Sequence, residues 1–177
     1  SLVIYGDVYG GSALGTVNTN ASNHTNVTLN KGIINGSLYG GGLGDNSTAA
    51  NVNGPVTVTV NGGTVNTTSA NGSGAVYGCN NLNGAPQNTV AVIINGTDPA
   101  PGTNAYALDA VYGGGNQANY TYDTPTVTVN NCDNSIAYVY GGGNAASVPG
   151  TDVQIYGGNK IGNVFAGGNG TNGAADV

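Results

Sequence analysis

The chain has 177 residues and a net charge of −6, and only 6% of its residues are charged. It lacks the clustered Lys and Arg that bind phosphates, which excludes an electrostatic nucleic-acid-binding surface. Its longest apolar run is far shorter than the roughly 18 residues of a membrane-spanning helix. Glu, Arg and Met are missing, whereas Gly alone accounts for 33 residues and Asn, Val and Thr are abundant. This composition favours short strands joined by tight corners.

In chain order, short strands alternate with a tag made of an aliphatic residue, an aromatic residue and small residues. The strands carry two aliphatic residues two positions apart, at 2–6, 27–31, 58–62, 92–96, 127–131 and 153–157. The tags lie at 8–11, 38–41, 76–79, 111–114, 139–142 and 164–167. The tag aromatics are 30, 38, 35, 28 and 25 residues apart. Repetition at this period indicates one supersecondary unit stacked on copies of itself.

The repeat length predicts an all-β fold, a parallel β-helix (β-solenoid) of about six coils with 25–38 residues per repeat. A propeller blade needs about 40–45 residues, more than these repeats provide. The aliphatic side chains should stack in two columns. One column is Val8, Leu38, Val76, Val111, Val139 and Val164, and the other is Leu29, Val60, Ile94, Val129 and Ile155.

Residues 1–177 are expected to form a single solenoid domain. The first predicted strand begins at residue 2, and the last residues repeat a string that occurs in the middle of earlier coils. Solenoid ends without polar caps expose strand edges that pair with other chains. The sequence is therefore interpreted as a segment of a longer array or as a subunit that stacks end to end.

The tag aromatics are candidate ligand-binding residues. Because side chains alternate along a strand, an inward aliphatic residue places the following aromatic on the outer face. The resulting exposed stripe would be Tyr9, Tyr39, Tyr77, Tyr112, Tyr140 and Phe165. The alternative is an intramolecular aromatic stack that stiffens the corner. Tyr120 and Tyr122 lie in an insertion and form a separate candidate patch.

Asn recurs four positions after the aromatic in the last four tags, as Asn81, Asn116, Asn144 and Asn169. Stacked amides can hydrogen-bond along the solenoid axis as a ladder. A local role in each corner is the alternative.

The titratable residues do not indicate catalysis. Eight Asp are scattered over different repeat positions, and the one histidine, His24, lies in a loop-like run. Glycoside hydrolysis needs two positioned carboxylates, which the sequence does not pair. We therefore expect no enzymatic activity, no cofactor and no metal site. Cys79 and Cys132 match no metal-binding spacing, and both a disulfide and free buried thiols remain open.

Ten Asn residues begin N-x-Ser/Thr triplets, more than random placement gives. They are Asn20, Asn23, Asn26, Asn35, Asn46, Asn66, Asn71, Asn95, Asn119 and Asn169. The excess is typical of a glycosylated extracellular chain. Alternation of Asn and Thr at corners for backbone reasons explains it equally well.

The tags V-Y-G-G-G-N at 111–116 and 139–144, with the interleaved V-T-V-N, resemble the Gly-rich tandem repeats of very large bacterial cell-surface or secreted β-helix proteins, often described as adhesin-like. The resemblance covers nearly the whole chain and is weakest at the first two tags, where Ala13 and Leu43 replace the Asn. It implies an extracellular or cell-surface scaffold, structural or filament-forming and non-catalytic. The alternative is an adhesive, glycan-binding module that uses the tyrosine stripe. The expected partners are copies of the chain, neighbouring repeats, or glycans and surfaces, without nucleic-acid binding or membrane insertion.

Overall fold

The computed structural model describes residues 2–65, 74–100, 106–132 and 136–170. All regular elements in these residues are strands, so none of them is a helix that could span a bilayer. The strands are β1 (Val3–Ile4), β2 (Val8–Tyr9), β3 (Thr25–Leu29), β4 (Ile33–Ile34), β5 (Leu38–Tyr39), β6 (Val56–Val60), β7 (Thr64–Val65), β8 (Ala75–Tyr77), β9 (Val90–Ile94), β10 (Leu108–Tyr112), β11 (Thr126–Val129), β12 (Ile136–Tyr140), β13 (Asp152–Ile155) and β14 (Ile161–Phe165).

The strands form two parallel sheets, because each coil places its strands directly beside those of the previous coil. The first, which we name the tag sheet, contains β1, β2, β4, β5, β7, β8, β10, β12 and β14. The second, the plain sheet, runs in the order β3, β6, β9, β11, β13. Every pairing in both sheets is parallel and joins corresponding positions of successive coils. The predicted parallel β-helix is therefore confirmed.

The number of complete coils is smaller than the six that the tags suggest. Among the described residues, the tag sheet is six strands deep at the aromatics, whereas the plain sheet is five strands deep. A third side of the coil is irregular and carries only isolated parallel bridges, Val17 to Val52 and Val52 to Pro86. Five plain-sheet strands therefore alternate with six tags, and among the described residues no plain-sheet strand follows the last tag.

Both predicted columns of aliphatic side chains are present between the two sheets. Val8, Leu38, Val76, Val111, Val139 and Val164 are successive register partners. The second column also consists of successive register partners, namely Leu29, Val60, Ile94, Val129 and Ile155. The inner members of both columns are buried in one continuous core. Burial of each such side chain contributes roughly 1.5–3 kcal/mol, so the core joins every coil to its neighbours.

The predicted position of the first strand on the coil is wrong. The sequence pattern groups residues 2–6 with the strands of the plain sheet, but β1 pairs with β4 in the tag sheet. This pairing starts a third aliphatic column, composed of Ile4, Ile34, Val65, Leu108, Ile136 and Ile161. The sequence pattern missed it because the number of residues between this column and the tag differs from coil to coil.

The first glycine of each tag is required by the close approach of successive coils. A Cβ at Gly10, Gly40, Gly78, Gly113 or Gly141 would lie closer than 3.0 Å to the backbone carbonyl oxygen of the following coil. None of the five has a positive φ, so contact between coils and not backbone conformation excludes a side chain. The sixth tag carries Ala166 at this position. By the same geometry, its Cβ faces the end of the described stack.

Candidate functional site: the aromatic and amide ladders

The six tag aromatics form one continuous stack along the outer face of the tag sheet. The ring centroids of Tyr9, Tyr39, Tyr77, Tyr112 and Tyr140 follow one another at 4.9, 4.7, 4.7 and 4.7 Å, with planes within 5° of parallel. Phe165 continues the stack at 5.2 Å and 11°. These distances match the spacing of parallel strands, because each ring projects from the same position of its coil.

The stack is buried in its middle and accessible at its ends. Tyr39, Tyr77, Tyr112 and Tyr140 are at most 7% exposed, Tyr9 is half-buried, and Phe165 is 46% exposed. The expected exposed stripe is therefore wrong for the four inner rings. Their faces contact one another, and small residues such as Ala75 and Ala110 pack beside them. The intramolecular aromatic stack, which was the alternative, is confirmed.

An amide ladder runs beside the ring hydroxyls. Asn116 Nδ2 donates to Asn81 Oδ1, Asn144 Nδ2 to Asn116 Oδ1, and Asn169 Nδ2 to Asn144 Oδ1, each at 2.8 Å. At the other end, Asn81 Nδ2 donates to the Tyr9 hydroxyl at 2.8 Å. The ladder prediction is confirmed and its local alternative is not needed. We name these four residues the inner amide ladder.

Three further ring hydroxyls donate to the inner amide ladder. Tyr77 and Tyr112 donate to the Oδ1 atoms of Asn116 and Asn144 at 3.4 Å. Tyr140 donates to Asn169 Oδ1 at 3.3 Å. Rings and amides therefore form one polar and aromatic band that links consecutive coils.

A second ladder follows the plain sheet, where the sequence reading assigned only corner residues. Asn61 Nδ2 donates to Asn30 Oδ1 at 2.9 Å, and Asn95 and Asn130 repeat the contact at 2.8 Å. All four side chains are exposed, so we name them the outer amide ladder. The signal for it is the recurrence of Asn directly after the second aliphatic residue in the first four strands of the plain sheet.

Burial keeps the stacked phenols neutral. It raises the pKa of Tyr9 to about 12, while the hydrogen bond from Asn81 lowers it and the nearby Asp7 raises it. Burial also raises the pKa of Tyr39, Tyr77 and Tyr112 still further above the ordinary value of a phenol. Neutral phenols donate hydrogen bonds to the amides, which suits a structural band better than a nucleophilic site.

The structure does not bring Tyr120 and Tyr122 together as one surface patch. Tyr120 is fully buried, and its hydroxyl donates to the backbone carbonyl of Asn88 at 2.8 Å. It packs with Cys79 in a cluster on the irregular side of the coil. Tyr120 is therefore corrected from a surface candidate to a core residue, whereas Tyr122 is 56% exposed.

Both cysteines are buried and free, so the alternative of a disulfide is wrong. Burial raises the pKa of the Cys79 thiol, which makes it an inert core group. Among the described residues, no three His, Cys or Asp side chains converge in a way that could hold a metal ion.

The candidate glycosylation sites fall into three groups. Asn20, Asn23, Asn26, Asn46 and Asn119 are exposed, and Asn35 is half-buried. Asn95 and Asn169 are exposed, but their Nδ2 atoms donate within the amide ladders. Asn66 and Asn71 lie outside the described residues. Glycosylation itself stays a prediction.

Two of the surface cavities lie at positions that bear on function. One of about 440 Å³ lies at the N-terminal end of the stack and is lined by core residues such as Ile4, Val8 and Leu29. The other, of about 470 Å³, lies on the outer face of the tag sheet beside Tyr138. Tyr138 is 44% exposed and was not among the predicted site residues, because it belongs to no tag.

Comparison of the chain with protein-family models, with curated proteins and with solved structures gives no match to any of them.

Proposed function

We propose that this chain is a structural, non-catalytic β-solenoid that serves as a rigid scaffold on a cell surface or in a secreted filament. The supporting observation is that its characteristic residues contact their own counterparts in the adjacent coils. Rings stack on rings, amides bond to amides, and aliphatic columns run through the core. An extracellular location is supported by the low charge and by the repeat composition.

Both ends of the described stack expose the columns that continue through its interior. At the N-terminal end, the open cavity uncovers the side chains of the first coil. At the other end, Ile155, Val164 and Phe165 are each more than 40% exposed. The two end surfaces are complementary to each other. Val164 belongs to the same aliphatic column as Val8, and Phe165 belongs to the same ring stack as Tyr9, so the N-terminal end of one copy can continue the columns of another. Stacking of a further copy would bury both apolar surfaces and pair the strand edges.

Ala166 makes this stacking testable. In the interior, glycine occupies its position because a Cβ would meet the carbonyl oxygen of the following coil. A copy that stacks in register on the C-terminal end would encounter the Ala166 Cβ at that place. Self-association should therefore strengthen in Ala166→Gly and weaken in Ala166→Val, with the natural residue between them.

Analytical ultracentrifugation of the three proteins over a range of concentrations measures this order. Tyr122→Ala, which changes an exposed side chain away from either end, is the matched control and should associate like the natural chain. A strict monomer for all variants at high concentration would reject end-to-end stacking. Association of equal strength in the natural chain, Ala166→Gly and Ala166→Val would show that the copies contact one another at a surface other than the C-terminal end of the stack.

The alternative function is an adhesive module that binds glycans through the tyrosine stripe. The burial of the four inner rings weighs against the stripe, since their faces are occupied by one another. A glycan-binding role therefore has to rely on other aromatic side chains of this surface.

A further inference from the structure

We propose that the pocket beside Tyr138 binds one unit of a neutral saccharide. This inference goes beyond the scaffold role and does not depend on coil stacking. The pocket is about 470 Å³ in volume and opens on the outer face of the tag sheet. Small-molecule sites usually measure about 300–1,000 Å³, so a single sugar ring with part of its neighbour fits.

The pocket arises from a step in side-chain size along one column of the sheet. Ala75, Ala110 and Tyr138 are successive register partners on the face that also carries the ring stack. Ala110 and Tyr138 both line the pocket, because the small methyl group of Ala110 leaves space beside the larger phenol ring of the next coil. The same step does not occur between Ala75 and Ala110, so the pocket is confined to this part of the face.

Tyr138 supplies an aromatic surface suited to the apolar face of a sugar. Its ring is 44% exposed, unlike the inner rings of the stack. It lies 6.0 Å from the Tyr140 ring at an angle of 23°, so its neighbour restricts its position. A rigid, partly exposed ring binds the C–H face of a pyranose with little loss of side-chain entropy.

Polar groups on the opposite side of the pocket can bond to sugar hydroxyls. Asn144 Oδ1 accepts from both the Asn169 amide and the Tyr112 hydroxyl. In the described part of the chain, Asn169 Oδ1 accepts only from the Tyr140 hydroxyl, at 3.3 Å. An amide oxygen has two lone pairs, so Asn169 Oδ1 can accept from a ligand hydroxyl as well as from the Tyr140 hydroxyl.

The charge of the pocket selects a neutral ligand. Asp109 is its one charged lining residue, and its Oδ2 accepts from the backbone N–H of Gly74 at 3.1 Å. A carboxylate accepts hydrogen bonds from hydroxyl groups and repels acidic sugars, sulfates and phosphates. The aromatic face of Tyr138, the amide of Asn169 and the carboxylate of Asp109 together suit a neutral hexose or N-acetylhexosamine unit.

Saturation-transfer NMR with neutral oligosaccharides of glucose, galactose and N-acetylglucosamine tests the proposal. We expect saturable binding of at least one, with a Kd on the order of 1 mM for such a shallow site. Oligogalacturonate is the anionic comparison and should not bind. Tyr138→Ala should weaken binding at least about tenfold, whereas Tyr138→Phe should retain it because the ring surface is kept.

Tyr122→Ala is the matched control, since it removes another exposed tyrosine that does not line the pocket. The melting temperature and the sedimentation of Tyr138→Ala should remain those of the natural chain, which separates loss of the site from loss of the scaffold. The proposal is overturned if no neutral saccharide binds at 10 mM or if Tyr122→Ala loses as much affinity as Tyr138→Ala. Direct binding of a proline-rich peptide at Tyr138, without binding of any saccharide, would assign the pocket to a protein partner and overturn the proposal as well.

Discussion

The inner amide ladder should stabilise the solenoid more than the outer one, although both contain the same amide–amide hydrogen bonds. The test compares Asn116→Ala with Asn95→Ala. Each asparagine donates one 2.8 Å hydrogen bond to the preceding coil and accepts one from the following coil. Neither has a positive φ, so alanine fits the backbone at both positions.

The expected magnitudes differ because of burial. Asn116→Ala removes two amide–amide hydrogen bonds worth about 1 kcal/mol each and the longer, weaker bond from the Tyr77 hydroxyl at 3.4 Å. It also leaves the Oδ1 of Asn81, which is only 8% exposed, without its donor, at a further cost of about 1 kcal/mol. The loss in free energy of unfolding should therefore be about 2–3 kcal/mol, or roughly 5–10 °C in melting temperature. Asn95→Ala leaves exposed partners that water can satisfy, so its cost should be under about 1 kcal/mol.

Urea denaturation followed by far-ultraviolet circular dichroism, supported by calorimetry, measures both variants. Equal losses would refute the reasoning, because they would show that burial does not control the strength of the ladders. A small loss for Asn116→Ala alone would show that the tyrosine stack holds the coils without the amides.

Three further outcomes follow from the core, the stack and the tag glycines. Val111→Asp places a charge in the buried column and should reduce the free energy of unfolding by at least about 3 kcal/mol. Thr128→Asp, on the outer face of the plain sheet, is the control and should cost much less. Comparable melting temperatures for the two variants would show that the column is misassigned. The stacked phenols have pKa values in the folded state above that of an unfolded tyrosine. Their contribution to the free energy of unfolding is therefore complete below pH 10 and should fall as the pH rises toward the pKa of Tyr9, about 12. Urea denaturation from pH 8 to 11.5, with phenolate absorbance, measures this, and a constant free energy of unfolding would contradict it. Gly113→Ala should destabilise the chain by roughly 1–3 kcal/mol because its Cβ would meet the Gly141 carbonyl oxygen, and an unchanged denaturation midpoint would show that the coils can separate at no cost.

The sequence predicts those features that repeat at a fixed distance from the tag aromatic. The aliphatic column that begins at Val8, the aromatic stack as an alternative and the inner amide ladder fall in this class, and the register of the strands confirms their positions. The column that begins at Leu29 lies at a variable distance from the tag and is recognised instead by the two aliphatic residues and the Asn that recur in its own strands. A fixed offset from the aromatic means a fixed place on the coil, so one side chain lies above its counterpart. No further information is needed to expect contact.

Features with a variable offset could not be predicted in the same way. The third aliphatic column precedes the tag by different distances, since a long insertion separates Val65 from Val76. Tyr120 resembles a loop residue in sequence, yet its ring fills the irregular side of the coil. Its burial depends on how the corners of successive coils pack together, and that packing leaves no periodic signal. The Tyr138 pocket depends likewise on a single step from Ala110 to a larger side chain.

The low charge of the chain follows from the way its coils stack. Every position of a coil lies about 4.8 Å from the same position of the next coil, so a repeated residue must be able to contact itself. Asn satisfies this condition because one side chain carries both a donor and an acceptor, and Tyr does so because its ring faces stack. A column of Lys or Asp would instead place like charges side by side at every level, which destabilises neighbouring strands. Selection for self-complementary columns therefore accounts for an outer surface of Asn, Thr and Tyr and for a chain in which only 6% of the residues are charged. The same condition accounts for the tag glycines, which alone allow successive corners to approach within backbone contact.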